Sequence, residues 1–269
     1  MENKHGDFVW YELQTPDLDA AKQFYGPLLG WQFVVSSSEP PLYETCLSQD
    51  AQDNESHEVG GILKLTPDMV EGGCRPAWLG YIEVDNLDDA CTQLKAADGQ
   101  ILMPVKTIAN VGDICVVSDP QGVPFYLICS NDPKNSLAFA HDRPRVGHCA
   151  WNELITSDKE AAWQFYQSQF GWTLDSTMDM GDMGTYDFIR HRNMIGAMMT
   201  LPDPSHQPFW NFYFRVPEID QAVEYINNHG GQILQPPIEI PGGEYVISAL
   251  DPQGANFQLV GVRQKNEES

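Results

Sequence analysis

Glu12 and Glu153 each stand two residues after a tryptophan, in the segments VWYEL and AWNEL. On a strand, side chains two apart share a face, so each carboxylate would lie beside an indole, Trp10 or Trp151. A carboxyl group against an aromatic wall and shielded from water can hold its proton more tightly and serve as general acid or base. The competing role is an internal salt bridge. His148, three positions before Trp151, adds an imidazole that could carry a proton or bind a metal. The chain has no HxH or HExxH spacing, no nucleophile elbow and no phosphate-cradling GxGxxG loop. Hydrolase and nucleotide-dependent chemistry therefore have no support.

The elements that must position these residues are written twice. Trp10, Glu12, Leu13, Thr15, Asp17, Ala20, Ala21, Phe24, Tyr25, Gly30 and Trp31 recur 141 positions later, from Trp151 to Trp172. Further along the step is 132, relating Trp78 to Trp210, Tyr81 to Tyr213, Gly99 to Gly231 and the turn Asp119-Pro120-Gln121-Gly122 to Asp251-Pro252-Gln253-Gly254. The first copy carries a longer middle loop. Self-similarity over this period means two homologous halves.

Within the first half, Phe8 to Leu13 reads as a strand and the spacing of Ala20, Ala21, Phe24 and Leu28 predicts a one-sided helix opened at Asp17 and closed by Gly30. Strands follow at Trp31 to Val35, Tyr43 to Leu47 and Val59 to Leu65. The pattern then restarts: strand Trp78 to Val84, helix Asp88 to Ala97, and strands Ile101 to Val105, Ile114 to Ser118 and Phe125 to Cys129. With helices at Asp158 to Phe170 and Ile219 to Asn228, the second half repeats this order, giving four βαβββ units in an α+β protein. Trp31, Trp172, Phe24, Phe165, Tyr25 and Tyr166 sit where helix meets sheet and are expected in the core. The DPQG segments are explained by turn geometry. The expected division is a first domain at 1–132, a polar linker at 133–145, a second domain at 146–263 and a polar tail at 264–269. Whether the units pair within or between halves stays open.

Hydrophobic residues make up 42% of the chain and aromatics 11%, enough for each half to bury a core. No apolar run approaches the ~18–20 residues that span a bilayer, and MENKHGDF has no signal-like apolar stretch, so no membrane partner and a cytoplasmic location are expected. The formal charge of −23 would repel nucleic acid. Six cysteines without a CxxC pair read as free thiols.

Four βαβββ units, helices ending in AAKQFYGPLLGW and AAWQFYQSQFGW, and closing strands announced by DPQG resemble the vicinal oxygen chelate superfamily of glyoxalases, bleomycin resistance proteins and extradiol dioxygenases. The resemblance implies two glyoxalase/bleomycin-resistance-like open-barrel domains, each with a concave face for a ligand or a divalent metal. Metal-using members carry their ligands at positions that correspond here to Trp10, Lys64, Leu79 and Tyr126, and to Trp151, Thr200, Asn211 and Gln258. These side chains do not make a divalent site, which needs several imidazole, thiolate or carboxylate donors converging. The expectation is thus a small organic ligand and no metal cofactor, in clefts lined by Trp10, Glu12, Tyr81 and Tyr126 and by Trp151, Glu153, Asn211, Tyr213 and Gln258, with Glu12 and Glu153 as candidate catalytic groups. The alternative is a metal-dependent lyase or extradiol-type dioxygenase with a non-standard ligand set such as His148, Glu153 and Gln258. A monomer or a homodimer is compatible with either.

Overall fold

The computed structural model describes residues 2–49, 52, 54–131 and 135–264. Residues 133 and 134 of the expected linker and 265–269 of the expected tail lie outside this set. The first half runs β1 (Phe8–Thr15), α1 (Leu18–Leu29), β2 (Trp31–Ser37), β3 (Tyr43–Gln49), β4 (Ser56–Lys64), α2 (Pro67–Glu71), β5 (Ala77–Glu83), α3 (Leu87–Ala96), β6 (Gln100–Ile108), β7 (Gly112–Ser118) and β8 (Pro124–Ser130). The second half runs β9 (Cys149–Thr156), α4 (Lys159–Phe170), β10 (Thr173–Asp179), β11 (Thr185–His191), β12 (Asn193–Thr200), β13 (Phe209–Arg215), α5 (Ile219–Asn228), β14 (Gln232–Glu239), β15 (Tyr245–Leu250) and β16 (Asn256–Gly261). Every expected helix and strand is present. The short α2 was not expected; it starts where Thr66 accepts from the Met69 N–H and Pro67, which has no N–H to leave unpaired, takes the first helical position.

The duplicated helices share their punctuation. Asp17 caps α1 by accepting from the N–H groups of Asp19 and Ala20, and Asp158 caps α4 through Ala161. Each helix stops at a left-handed glycine, Gly30 at φ 71° and Gly171 at φ 67°, a conformation in which a Cβ would be strained.

The strands make two eight-stranded sheets, one per half, of order β2-β3-β4-β1-β5-β8-β7-β6 and β10-β11-β12-β9-β13-β16-β15-β14. Within every βαβββ unit the first strand lies parallel to the last, as in the pairing of Glu12 with Gly61 and of Glu153 with Ala197. No helix among the described residues is long and apolar enough to cross a membrane.

The chain packs as two compact units, and each takes one βαβββ unit from either half. The first comprises Met1–Trp10, Leu79–Ser136 and Trp151–Asn211. Its interior holds Phe8, Tyr166, Trp172 and Trp210, with Tyr166 and Trp172 stacked at 5.2 Å. Tyr166 accepts from Trp210 Nε1 and donates to Asp119 Oδ2, while the Trp172 indole donates to the Gly6 carbonyl. Gln121 of the DPQG turn accepts from Thr156, Ser157 and the Asp158 N–H.

The second unit comprises Tyr11–Trp78, Leu137–Ala150 and Phe212–Ser269. It repeats the arrangement: Tyr25 accepts from Trp78 Nε1 and donates to Asp251 Oδ2, and Trp31 donates to the Gly147 carbonyl. Tyr11 packs edge-on against Phe212 and Phe214. Part of the connector enters this interior, since Ala138, Phe139 and Arg145 are buried and Phe139 bridges to Cys149. The polar composition of that stretch is met by internal pairing, Arg145 holding Asp142 through two nitrogens.

Candidate functional site

In the third βαβββ unit the expected carboxylate and indole belong to one hydrogen-bonded group. Trp151 and Glu153 occupy alternate positions of β9, and Glu153 is only 6% exposed. Tyr186 on β11 spans the intervening β12 and donates to Glu153 Oε1 at 2.8 Å, while accepting from Trp151 Nε1 at 2.8 Å. Asn211, on β13, donates through Nδ2 to Glu153 Oε2 at 2.8 Å. Phe188 packs edge-on against both the Trp151 and Tyr186 rings. Burial first, and then the neighbouring Glu153 carboxylate, push the Tyr186 hydroxyl well above the usual phenol range, so it stays a neutral donor. Each oxygen of Glu153 thus meets a donor from a different strand. Such an arrangement fixes the orientation of a carboxylate and aligns it to accept a proton or a hydrogen bond.

The first βαβββ unit builds a related feature. Glu12 on β1 is 2% exposed, and Gln14 Nε2 approaches it at 3.5 Å, a long contact. Its parallel partner on β4 is Gly61. A Cβ at Gly61 would stand 1.9 Å from the Tyr43 hydroxyl oxygen, so the Tyr43 side chain lies over the strand beside Glu12 and Gly61 leaves room for it. In the sheet registers Tyr43 faces Leu63 and Tyr186 faces Met199, equivalent positions in the two halves. Sequence reasoning missed both tyrosines. Their signal is a recurring tyrosine at the start of the third strand, hidden because the middle loops differ in length and shift the repeat.

Tyr81 and Tyr126 lie side by side. They are paired across β5 and β8 and stack at 4.0 Å with rings 5° from parallel. Val9, Leu79 and Ile128 share their cluster, and Trp10, Met103, Ile114 and Val116 pack against it. Tyr213 and Gln258 are likewise neighbours, paired across β13 and β16. Gln258 is 1% exposed; its Nε2 donates to Asn256 Oδ1 at 3.2 Å and approaches Ser248 Oγ at 3.4 Å. Its Oε1 is buried with no hydrogen-bond partner among the described residues.

A divalent metal does not fit the positions at which the resemblance places ligands. Leu79 and Tyr126 lie in the apolar cluster, Asn211 is committed to Glu153, and Lys64 and Thr200 are exposed. Among the described residues no group of three or more His, Cys, Asp or Glu side chains could hold a metal ion. His148, of the alternative ligand set, is fully buried and binds the Leu137 carbonyl through Nδ1 at 2.6 Å. Its ring lies 5.7 Å from that of His57.

Residues 7–127 and 145–259 each match the model of the Glyoxalase/Bleomycin resistance protein/Dioxygenase superfamily. Among curated sequences the chain is 30% identical over 261 residues to the provisionally named glyoxylase CFP32 of Mycobacterium tuberculosis, covering 96% of both chains. It is 26% identical over 269 residues to the anthracycline biosynthesis protein DauV of a Streptomyces species, covering 95% of this chain and 93% of DauV. Among solved structures, the 2,3-dioxygenase LapB from Pseudomonas sp. KL28 superposes with a TM-score of 0.63 at 13% identity, covering 98% of this chain and 94% of LapB. The Mn(II)-bound glyoxalase from Novosphingobium aromaticivorans does so with a TM-score of 0.60 at 14% identity, covering 98% and 83%. At these identities the structural likeness speaks for the fold.

Proposed function

Because the chain belongs to the Glyoxalase/Bleomycin resistance protein/Dioxygenase superfamily, we propose that it binds a small organic ligand on the sheet face carrying Trp151, Glu153 and Asn211, without the metal that other members use. The observation that carries this reading is the Trp151–Tyr186–Glu153–Asn211 group. Where a metal site would need converging donors with open valences, the Glu153 carboxylate instead meets an O–H and an N–H. That leaves an aromatic wall around a positioned acceptor, a combination suited to an unsaturated or hydroxyl-bearing organic molecule. Tyr81 and Tyr126, stacked on one another, are almost wholly buried in an apolar cluster of their own. The names of CFP32 and DauV both associate these relatives with small-molecule chemistry.

A lyase or dioxygenase with His148, Glu153 and Gln258 as metal ligands is the competing reading. It is weakened by the bonds already made by His148 Nδ1 and by both oxygens of Glu153. Elemental analysis of protein purified without added metal, with native mass spectrometry of the same sample, separates the two. A retained organic molecule and no stoichiometric metal is the expected result. Stoichiometric Ni, Zn, Mn or Fe, with turnover of a methylglyoxal–glutathione adduct or a catechol that a chelator abolishes, would establish the enzyme reading instead.

A further inference from the structure

The six cysteines are all free thiols, but two of them are not isolated. Cys91 lies on α3 and Cys115 on β7, within the first compact unit, and their sulfurs are 3.4 Å apart. Cys115 is wholly buried, whereas Cys91 is half-buried and so open to solvent on one side. A disulfide, at about 2.05 Å between sulfurs, would close a gap of little more than 1 Å from the 3.4 Å seen here. Burial, and after it the hydrogen bond with Cys91, hold the Cys115 proton well above the usual thiol range. This assigns the two sulfurs different parts, because the thiolate is the attacking species and access controls who attacks first.

We propose that Cys91 and Cys115 form an oxidisable dithiol that a hydroperoxide converts to an intrachain disulfide. Cys91, as thiolate, attacks one oxygen of hydrogen peroxide. The O–O bond breaks, Cys91 becomes a sulfenic acid, and the departing hydroxide takes up the thiol proton as water. The Cys115 sulfur then attacks the Cys91 sulfur. The S–O bond breaks as the S–S bond forms, and the second hydroxide leaves as water with the Cys115 proton. In sum two thiols and one peroxide give one disulfide and two waters, with two electrons passing from sulfur to peroxide. The bond ties α3 to β7, whose Ile114 and Val116 pack against the Tyr81–Tyr126 cluster.

The full chain is treated with hydrogen peroxide, quenched and analysed by intact mass and by a non-reducing peptide map. Loss of two hydrogen atoms and a peptide joining Cys91 to Cys115, both reversed by dithiothreitol, are expected; Cys46, Cys74, Cys129 and Cys149 stay unlinked. Cys91→Ser, at the half-exposed position, should abolish the linked peptide and leave Cys115 alkylatable after denaturation. Since any variant could perturb folding, differential alkylation of the unaltered chain gives an independent reading: both thiols must become protected in equal amounts. Oxygen added to Cys91 with no joined peptide, or a joined peptide between other cysteines, overturns the proposal.

Discussion

Replacing Tyr186 with Phe removes one oxygen and strips a partner from two groups at once. The hydroxyl donates to Glu153 Oε1 and accepts from Trp151 Nε1, each at 2.8 Å, while the ring keeps its packing against Phe188 and against the Ile155, Met199 and Leu201 cluster. No cavity of consequence forms, so the cost is that of the two bonds. A hydrogen bond to a carboxylate is worth about 1.5–3 kcal/mol and a neutral one about 0.5–1.5 kcal/mol. The expected loss is therefore about 2–4.5 kcal/mol, which at roughly 2–4 °C per kcal/mol for a chain of this size lowers Tm by about 4–18 °C. Urea unfolding and calorimetry measure it, and a double-mutant cycle with Glu153→Gln isolates the pair, expected at about 1.5–3 kcal/mol of coupling. A loss below about 0.5 kcal/mol, with no coupling, would mean that neither Glu153 nor Trp151 depends on this hydroxyl. Glu153 would then not be a carboxylate that Tyr186 holds in position.

Glu12→Gln and Glu153→Gln are expected to leave the fold intact and to weaken binding of the identified ligand about tenfold or more at the affected site, since ~1.4 kcal/mol is a factor of ten; titration calorimetry of both variants reads this, and unchanged affinity in each removes the carboxylates from the site. Gly61→Ala should push the Tyr43 hydroxyl off β4 and cost about 1–3 kcal/mol in urea unfolding, whereas its counterpart in the second half is already Ala197; an unaffected Cm would show that Tyr43 does not depend on that gap. Burial raises the Asp119 and Asp251 carboxyl groups above their ordinary value of 3.8, so the folded chain binds their protons more tightly than the unfolded chain does. Their stabilising contribution is complete below that ordinary range and is lost as pH rises through the raised values. Asp119→Asn and Asp251→Asn should accordingly flatten that loss when stability is followed by urea unfolding from pH 4 to 7, and a pH profile identical to that of the parent chain would contradict the assignment.

Local pattern carried most of the fold. Period-two alternation placed Trp151 and Glu153 on one face of β9, and the Asp and Gly residues at the ends of α1 and α4 marked their caps, because strands and helix ends are decided by near neighbours. Tyr43 and Tyr186 escaped for the opposite reason. Tyr186 acts across an intervening strand on Glu153, 33 positions earlier, and Tyr43 lies over Gly61, the partner of Glu12; no spacing rule connects a tyrosine on a third strand to a carboxylate on a first.

The two DPQG aspartates show where that boundary falls inside a single side chain. Asp251 Oδ1 accepts from the N–H groups of Gln253 and Ala255, two and four residues on, which is the turn chemistry legible in the motif. Its Oδ2 accepts from Tyr25, 226 positions earlier in the chain. Asp119 does the same, with Gln121 and Val123 on one oxygen and Tyr166 on the other. Helical spacing says that Tyr25 and Tyr166 face inward but not against what, and since both homologous halves carry the DPQG turn an aspartate from either would satisfy the pattern. Each compact unit resolves this by joining the tyrosine of one half to the aspartate of the other. A buried hydroxyl and a buried carboxylate left unmatched would each cost about 1–3 kcal/mol, so each compact unit is held together in part by bringing the two into one bond.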